Sequence, residues 1–182
     1  MFFGDLNLAF IDIESTGLDK NIHEIIELGL IIYDQKNDTV KLEWETKIKP
    51  IHIETASIHA LEINGFNKNA ELYTNDLETE IAKFNRLASD CIPVGQNISF
   101  DLGFIFNVMK KLDIKPLFNN RRYLDTMSLS WQYIRNQDIK DLSLYYLCDH
   151  LGISNEGAHG ALIDCKRTLE VYRKLMKIYG AL

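Results

Sequence analysis

The sequence predicts an α/β domain in which a mixed five-stranded sheet is flanked by helices. Three observations lead to this fold class: apolar runs of strand length come first, a strictly alternating segment follows, and later strands alternate with helices. The chain has 182 residues, of which 46% are hydrophobic and 25% charged, and these fractions are ordinary for a globular protein. Since no repeat or linker-like stretch interrupts the chain, we expect residues 1–182 to form a single domain.

The first part of the chain predicts an antiparallel meander of three strands. Residues 6–13 and 25–33 are apolar runs rich in Ile and Leu. Residues 40–49 alternate between an apolar face and a face rich in lysine, which is typical of a half-buried strand at the edge of a sheet. The turn residues of "YDQKNDT" separate the second and third strands.

The rest of the chain predicts helices that alternate with two short strands. The strands are expected in "CIPVGQN" and "RYLDTM", and parallel pairing would add them to the meander. Asp125 ends the second of these strands and is expected to cap the helix that follows. Helical spacing and capping residues predict helices over 54–62, 75–89, from Ser99 onward, 141–151 and along the last segment from 162 to 179.

Composition excludes several classes of protein. No apolar stretch approaches the ~20 residues that span a bilayer, and the N-terminus lacks the pattern of a secretion signal. Cys91, Cys148 and Cys165 fit no metal or redox spacing, so we expect them to be small core residues in a reducing, cytoplasmic compartment. The net charge of −6 argues against a protein that coats long duplex nucleic acid, although not against one that grips a strand end.

The segment "LAFIDIESTGL" places two carboxylates inside an apolar strand. Asp12 and Glu14 would share one face of that strand, where like charges repel and are costly to bury without positive charge between them. Asp101 follows a strand in "GQNISFD", and Asp164 lies one turn into the last helix in "AHGALID". Oxygen-rich sites of this kind suit hard cations such as Mg²⁺ or Mn²⁺. Two such ions would supply the missing positive charge and clamp a phosphodiester for in-line attack.

His159 lies in a glycine-flanked segment five residues before Asp164. Imidazole exchanges protons readily near neutral pH, so His159 is the natural general base for the attacking water. Each of these residues alone has an ordinary explanation as a turn residue or a helix-terminal acid. Their joint order and flanking residues carry the functional interpretation.

The segments "FIDIESTGL", "GQNISFDLGF" and "AHGALIDCKRTLEVY" resemble the three exonuclease motifs of the DnaQ-like (DEDDh) family. This family includes proofreading subunits of bacterial DNA polymerases, RNase T and oligoribonuclease. The resemblance covers almost the whole chain and implies an RNase H-like fold and metal-dependent 3′→5′ hydrolysis of single strands to 5′-mononucleotides. It implies that His159 is the catalytic base. It also implies that two Mg²⁺ or Mn²⁺ ions are held by Asp12, Glu14, Asp101 and Asp164.

The same resemblance implies a set of residues that contact the strand. Thr16 and nearby backbone N–H groups would meet the terminal nucleotide, and Leu18 would wedge against its base. The remaining substrate residues that the resemblance implies are Asn97, Phe100, Phe104 and, through the similarity of "SIHALEI" to the family's "VHGI", His59. Apart from the resemblance, the basic bias of the last segment makes Lys166 and Arg167 candidates for phosphate contact, although a favourable charge at the C-terminal end of the helix explains part of this bias.

The sequence is compatible with more than one substrate and more than one partner. The last motif is closest to the proofreading type, which favours single-stranded DNA 3′ ends and a DNA polymerase subunit as partner. RNase T-like or oligoribonuclease-like trimming of RNA is the alternative, because no residue that reads the 2′-OH can be identified. A non-catalytic nucleic-acid-binding module would lack the chemistry, yet all five motif residues are present. A small-molecule phosphatase fits the phenylalanines of "SFDLGFIF" less well than base stacking does. No membrane partner is expected, and a homodimer is compatible with the sequence.

Overall fold

A computed structural model describes residues 3–180 and has the predicted α/β architecture. The predicted domain of residues 1–182 therefore extends two residues beyond the described part at each end. The strands are β1 (Asn7–Ser15), β2 (Ile25–Asp34), β3 (Thr39–Lys47), β4 (Ile92–Gly95) and β5 (Leu124–Asp125). They form one sheet in the order β3-β2-β1-β4-β5, which confirms the mixed five-stranded sheet.

The pairing of the strands leaves the end of β1 free on one side. β1, β2 and β3 form the predicted antiparallel meander, whereas β4 runs parallel to β1 and β5 runs parallel to β4. The parallel pairing of β1 with β4 ends where Phe10 lies opposite Val94. Asp12 and Glu14 therefore lie beyond it, at the carboxyl end of the parallel strands, where α/β sheets usually bind ligands.

Seven α-helices accompany the sheet within residues 3–180, with short 3₁₀ turns between some of them. The helices are α1 (Ile58–Ile63), α2 (Phe66–Asn69), α3 (Leu77–Leu87), α4 (Ser99–Lys111), α5 (Thr126–Ile134), α6 (Leu144–Leu151) and α7 (Ala161–Ile178). No helix in this part of the chain is long and apolar enough to cross a membrane.

Two helices begin later than predicted, and a third was not predicted. The helix predicted over 54–62 begins only at Ile58, because the Ser57 side chain caps it by accepting a backbone hydrogen bond. The helix predicted over 141–151 begins at Leu144. The four-residue helix α2 was not predicted, since a segment this short shows no helical period.

Apolar side chains cover both faces of the sheet. On one face, Ile11 packs with residues of α3 and α4. On the other, Phe10 and Tyr33 pack with Tyr172 of α7, in edge-to-face ring pairs with centroids 5.6–6.2 Å apart. The helix predicted along the last segment from 162 to 179 is thereby confirmed. The three cysteines are buried and unbridged, also as predicted.

Candidate active site

Strand β1 supplies the first two acids of the site. Alternate residues of a strand share a face, so Asp12 and Glu14 continue the row of Leu8 and Phe10, which packs against α7. Both acids are partly buried. Immediately after Glu14 the register with β2 shifts, which ends the regular pairing at the site.

Two helices bring the other two acids to the same place. Asp101 lies in the first turn of α4, and its Oδ1 accepts a hydrogen bond of 2.9 Å from the backbone N–H of Ile13. This bond ties the start of α4 to β1 between the two acids of the strand. Asp164 lies in the first turn of α7 and is also buried. Its Oδ1 accepts a hydrogen bond of 2.6 Å from Nη1 of Arg167.

Burial raises the pKa values of three of these acids, and repulsion within the cluster adds to the rise for Asp12 and Glu14. Burial raises the pKa of Asp12 well above its usual range, and the nearby charges of Asp101, Asp164 and Glu14 raise it further. The pKa of Glu14 is raised to about 8, first by burial and then by the charge of Asp164. Burial also raises the pKa of Asp101, against the hydrogen bond from Ile13. The cluster therefore favours the binding of positive charge.

His159 completes the cluster from the loop before α7. One ligating atom each of Glu14, His159 and Asp164 lie within 4.8 Å of one another. The His159 backbone N–H donates to Oδ2 of Asp164 at 3.4 Å. The side chain is exposed, and its backbone φ of 72° is uncommon outside glycine and concentrates at functional sites. Carboxylate oxygens with raised pKa values are the donor set that a hard divalent cation fits.

A cavity of about 230 Å³ adjoins Glu14. Leu18, His59 and Phe100, three of the predicted substrate residues, line it. Leu18 also borders a second cleft of about 400 Å³, which Phe100 and Phe104 line. Because the Leu18 side chain is 84% exposed, it stands between the two clefts with little support from the core.

Thr16 and Asn97 lie outside the lining of both clefts. Thr16 is fully buried, its N–H donates to the Glu24 carbonyl, and its Oγ1 accepts from the Glu24 N–H, both at 2.9 Å. Asn97 has a left-handed φ of 55° and lines a separate cleft with Met127. Its N–H donates to Oδ1 of Asp125, which also caps α5 as predicted. A contact of Thr16 or Asn97 with a nucleotide stays a prediction.

The start of α7 depends on residues that the sequence analysis did not single out. The N–H groups of Ala161 and Leu162 donate at 3.4 Å to Oε2 of Glu27 and Oε1 of Glu45, which come from β2 and β3. Glu27 is 1% exposed. An acid inside the apolar run "IIELGLIIY" is the signal that could have identified it.

The two basic residues after Asp164 have different surroundings. Lys166 forms an exposed ion pair of 2.7 Å with Glu43 on β3. Arg167 is only 5% exposed and pairs with Asp164, so its guanidinium is turned into the protein rather than toward an incoming phosphate.

Comparisons with known proteins give one family and several relatives. A family model described as "Exonuclease" (RNase T) matches residues 9–172. The PolC-type DNA polymerase III of Thermotoga maritima is 28% identical over 176 residues, which cover 97% of this chain and 12% of that protein. The PolC-type polymerase of Ureaplasma parvum is 32% identical over 171 residues, which cover 91% of this chain and 11% of that protein. The chain thus spans about one eighth or less of the length of these relatives.

Solved structures share the fold at low sequence identity. Exonuclease I of E. coli, in a zinc-bound complex with single-stranded DNA, has a TM-score of 0.79 and 18% identity, covering 96% of this chain and 41% of that one. Cell-death related nuclease 4 has a TM-score of 0.75 and 17% identity, covering 96% and 64%. At these identities the likeness concerns the fold.

Proposed function

Because the chain belongs to the DnaQ-like exonuclease family, we propose that it removes nucleotides from the 3′ end of single-stranded DNA and releases 5′-mononucleotides. The observation that carries this proposal is the convergence of four carboxylates beside the cavity that Leu18 and Phe100 line. The PolC-type polymerase relatives and the DNA bound to exonuclease I support DNA as the substrate.

The four carboxylates of Asp12, Glu14, Asp101 and Asp164 would hold two divalent cations, Mg²⁺ or Mn²⁺. Such ions, when bound, activate a water molecule and stabilise the leaving oxygen in phosphodiester hydrolysis. The raised pKa values of Asp12 and Glu14 support this assignment, because both report negative charge that the folded chain leaves poorly compensated.

The remaining chemistry falls to side chains around the cluster. His159 would accept the proton of the attacking water on its imidazole and pass it to solvent, to which the ring is exposed. Leu18 and Phe100 would hold the terminal base, since the π-face of any base stacks on an aromatic ring. In this assignment, recognition depends on the shape of the cavity more than on base identity.

Matched single strands of DNA and RNA, labelled at the 5′ end and incubated with Mg²⁺ or Mn²⁺, test this function. We expect successive shortening from the 3′ end, faster on DNA. Asp101→Asn should nearly abolish cleavage, because it removes one charge from the cluster. Glu78→Gln, an exposed acid on α3, should keep the parent rate. A parent protein that binds both strands and shortens neither would favour the non-catalytic alternative.

RNA is the second candidate substrate, because the matching family model carries the name of RNase T. Shortening that is faster on RNA than on the matched DNA would favour it over DNA. For DNA, the proposed partner is a DNA polymerase, in line with the PolC-type relatives. Co-elution of the two proteins on gel filtration would test this association, and separate elution would argue for a stand-alone enzyme.

A further inference from the structure

We propose that Arg167 and Asn155 form a positioning pair that holds the loop carrying His159 against Asp164. The loop consists of residues 152–160 between α6 and α7, and is named the His159 loop below. The inference rests on the proposed function, because it takes His159 as the group that receives the proton.

Arg167 joins the site to the loop through one guanidinium. Its Nη1 donates to Oδ1 of Asp164 at 2.6 Å, and its Nη2 donates to Oδ1 of Asn155. The planar fork of arginine can serve two acceptors in fixed directions, which a lysine ammonium cannot do. The buried Nε has no hydrogen-bond partner among residues 3–180, and an unpaired buried donor is unfavourable for stability. The stabilising contacts of this arginine are therefore the two that its Nη atoms make, with Asp164 and with Asn155.

Asn155 connects this guanidinium to a second helix. Its Nδ2 donates at 3.1 Å to the carbonyl of Tyr145 on α6. Four residues later in the loop, the His159 N–H donates to Oδ2 of Asp164. The two oxygens of Asp164 thus contact both parts of the loop, one through Arg167 and the other directly.

The backbone of the loop explains why such anchors are needed. Gly157 and His159 both have left-handed φ values, 75° and 72°. A side chain raises the energy of this conformation, so His159 adopts it only where neighbouring contacts impose it. Loss of the Asn155–Arg167 contact should let the loop sample other conformations and move the imidazole away from Asp164. The cavity lined by Leu18 and Phe100 lies apart from this contact, so substrate binding should persist.

Cleavage of labelled single-stranded DNA by Asn155 variants tests the pair. Asn155→Ala removes the acceptor, and we expect kcat to fall about 10–100-fold, as for other residues that orient a ligand, with KM unchanged. Asn155→Asp keeps the acceptor for Arg167 but loses the Nδ2 donor to the Tyr145 carbonyl, so its rate should lie between those of Asn155→Ala and the parent. Arg167→Lys cannot form the fork and should resemble Asn155→Ala. A rise in KM with unchanged kcat in Asn155→Ala would overturn the proposal.

A double variant tests whether the pair acts through His159. Residues that act as a unit do not have multiplicative effects. In the His159→Ala background, Asn155→Ala should therefore cause no further loss of rate. A loss that multiplies with that of His159→Ala would mean that Asn155 acts elsewhere.

Hydrogen exchange of the His159 loop provides a readout that needs no activity. Residues 152–160 should exchange faster in Asn155→Ala than in the parent, while the interior of α7 stays protected. Glu156→Gln, an exposed side chain of the same loop, is the matched control and should leave exchange unchanged. Unchanged loop exchange in Asn155→Ala would overturn the positioning role. Absence of cleavage by the parent would instead overturn the proposed function.

Discussion

Raising the pH from 4.5 to about 8 in EDTA should lower the free energy of unfolding of this protein. The Glu14 carboxyl has a pKa of about 8 in the folded chain, against an ordinary value of 4.5. Between these pH values the folded state keeps a proton that the unfolded state has released. Stability falls with rising pH wherever the folded state binds more protons, so the expected slope is negative. Carboxyls with lowered pKa values, such as Asp34 at about 2, lose their contribution only at lower pH.

The size of the effect follows from the pKa of Glu14. At 1.36 kcal/mol per pH unit, Glu14 alone sets an upper limit of about 5 kcal/mol over this range. Because Glu14 is partly exposed and solvent screens its charge, we expect about 2 kcal/mol from Glu14 itself. The raised pKa values of Asp12 and Asp101 act in the same direction. For a chain of this size, the difference from Glu14 lowers Tm by roughly 4–8 °C.

Divalent cations should reverse the loss. Two of them add +4 to the formal charge, taking it from −6 to −2, and the added charge lies among the repelling carboxylates. A cation that binds only the folded state stabilises it by about 2.7 kcal/mol at a hundredfold excess over Kd. Most of the Tm lost in EDTA should therefore return with excess Mn²⁺ or Mg²⁺.

Thermal unfolding followed by circular dichroism, in EDTA and in excess Mn²⁺ across this pH window, measures both effects. Glu14→Gln cannot titrate and should show a shallower pH dependence and a smaller gain from Mn²⁺. Glu78→Gln on the exposed side of α3 is the control and should match the parent. A Tm in EDTA that is constant or rises with pH would refute the reasoning, as would an equal gain from Mn²⁺ in Glu14→Gln and the parent.

Three further predictions concern single residues. His159→Ala should cleave on the order of 10²–10⁴-fold more slowly and lose the imidazole-dependent part of its pH–rate profile. Calorimetry should still detect Mn²⁺ binding to this variant. A rate and a pH profile equal to those of the parent would place the base elsewhere. Leu18→Ala should weaken single-strand binding in a fluorescence titration at unchanged Tm, because the side chain is 84% exposed, and unaltered affinity would remove Leu18 from the binding site. Gly29→Ala should lower the free energy of unfolding measured in urea by about 1–3 kcal/mol, because the added Cβ would lie 2.5 Å from the carbonyl carbon of Ala161. An unchanged midpoint of urea unfolding would show that α7 can shift to accept the methyl group.

The elements that could be predicted from the sequence are those with long apolar patterns. Nine of the ten residues of β2 are buried, so its apolar run has a single interpretation. The stripe along α7 likewise extends over many turns. The helix α2 buries only Phe66 within four residues and therefore has no detectable period. The start of α1 differs from the prediction because Ile53–Thr55 forms a separate 3₁₀ turn and Ser57 is extended, with φ −73° and ψ 121°.

The positions of the four candidate acids in the fold could be predicted because each belongs to the local pattern of one segment. Asp12 and Glu14 show the two-residue period of a strand, and Asp101 and Asp164 lie in the first turns of helices. The contacts that position them join distant segments instead. Asp101 and Ile13 are 88 residues apart, and Glu27 and Ala161 are 134 apart. Such side-chain bonds leave no periodic trace in the sequence.

In the described part of the chain, Glu27 and Asp164 have basic partners within ion-pair distance, whereas the two acids of β1 do not. Glu27 has Lys47 as a basic partner, and Asp164 has Arg167. Among the ion pairs of residues 3–180, none includes Asp12 or Glu14. The charges of Arg167 and Lys47 act on Asp12 and Glu14 only from outside ion-pair distance, and burial and the neighbouring acids outweigh them. Since removing charged carboxylates from water is costly without a counter-charge, a bound cation would stabilise the fold most at these two residues.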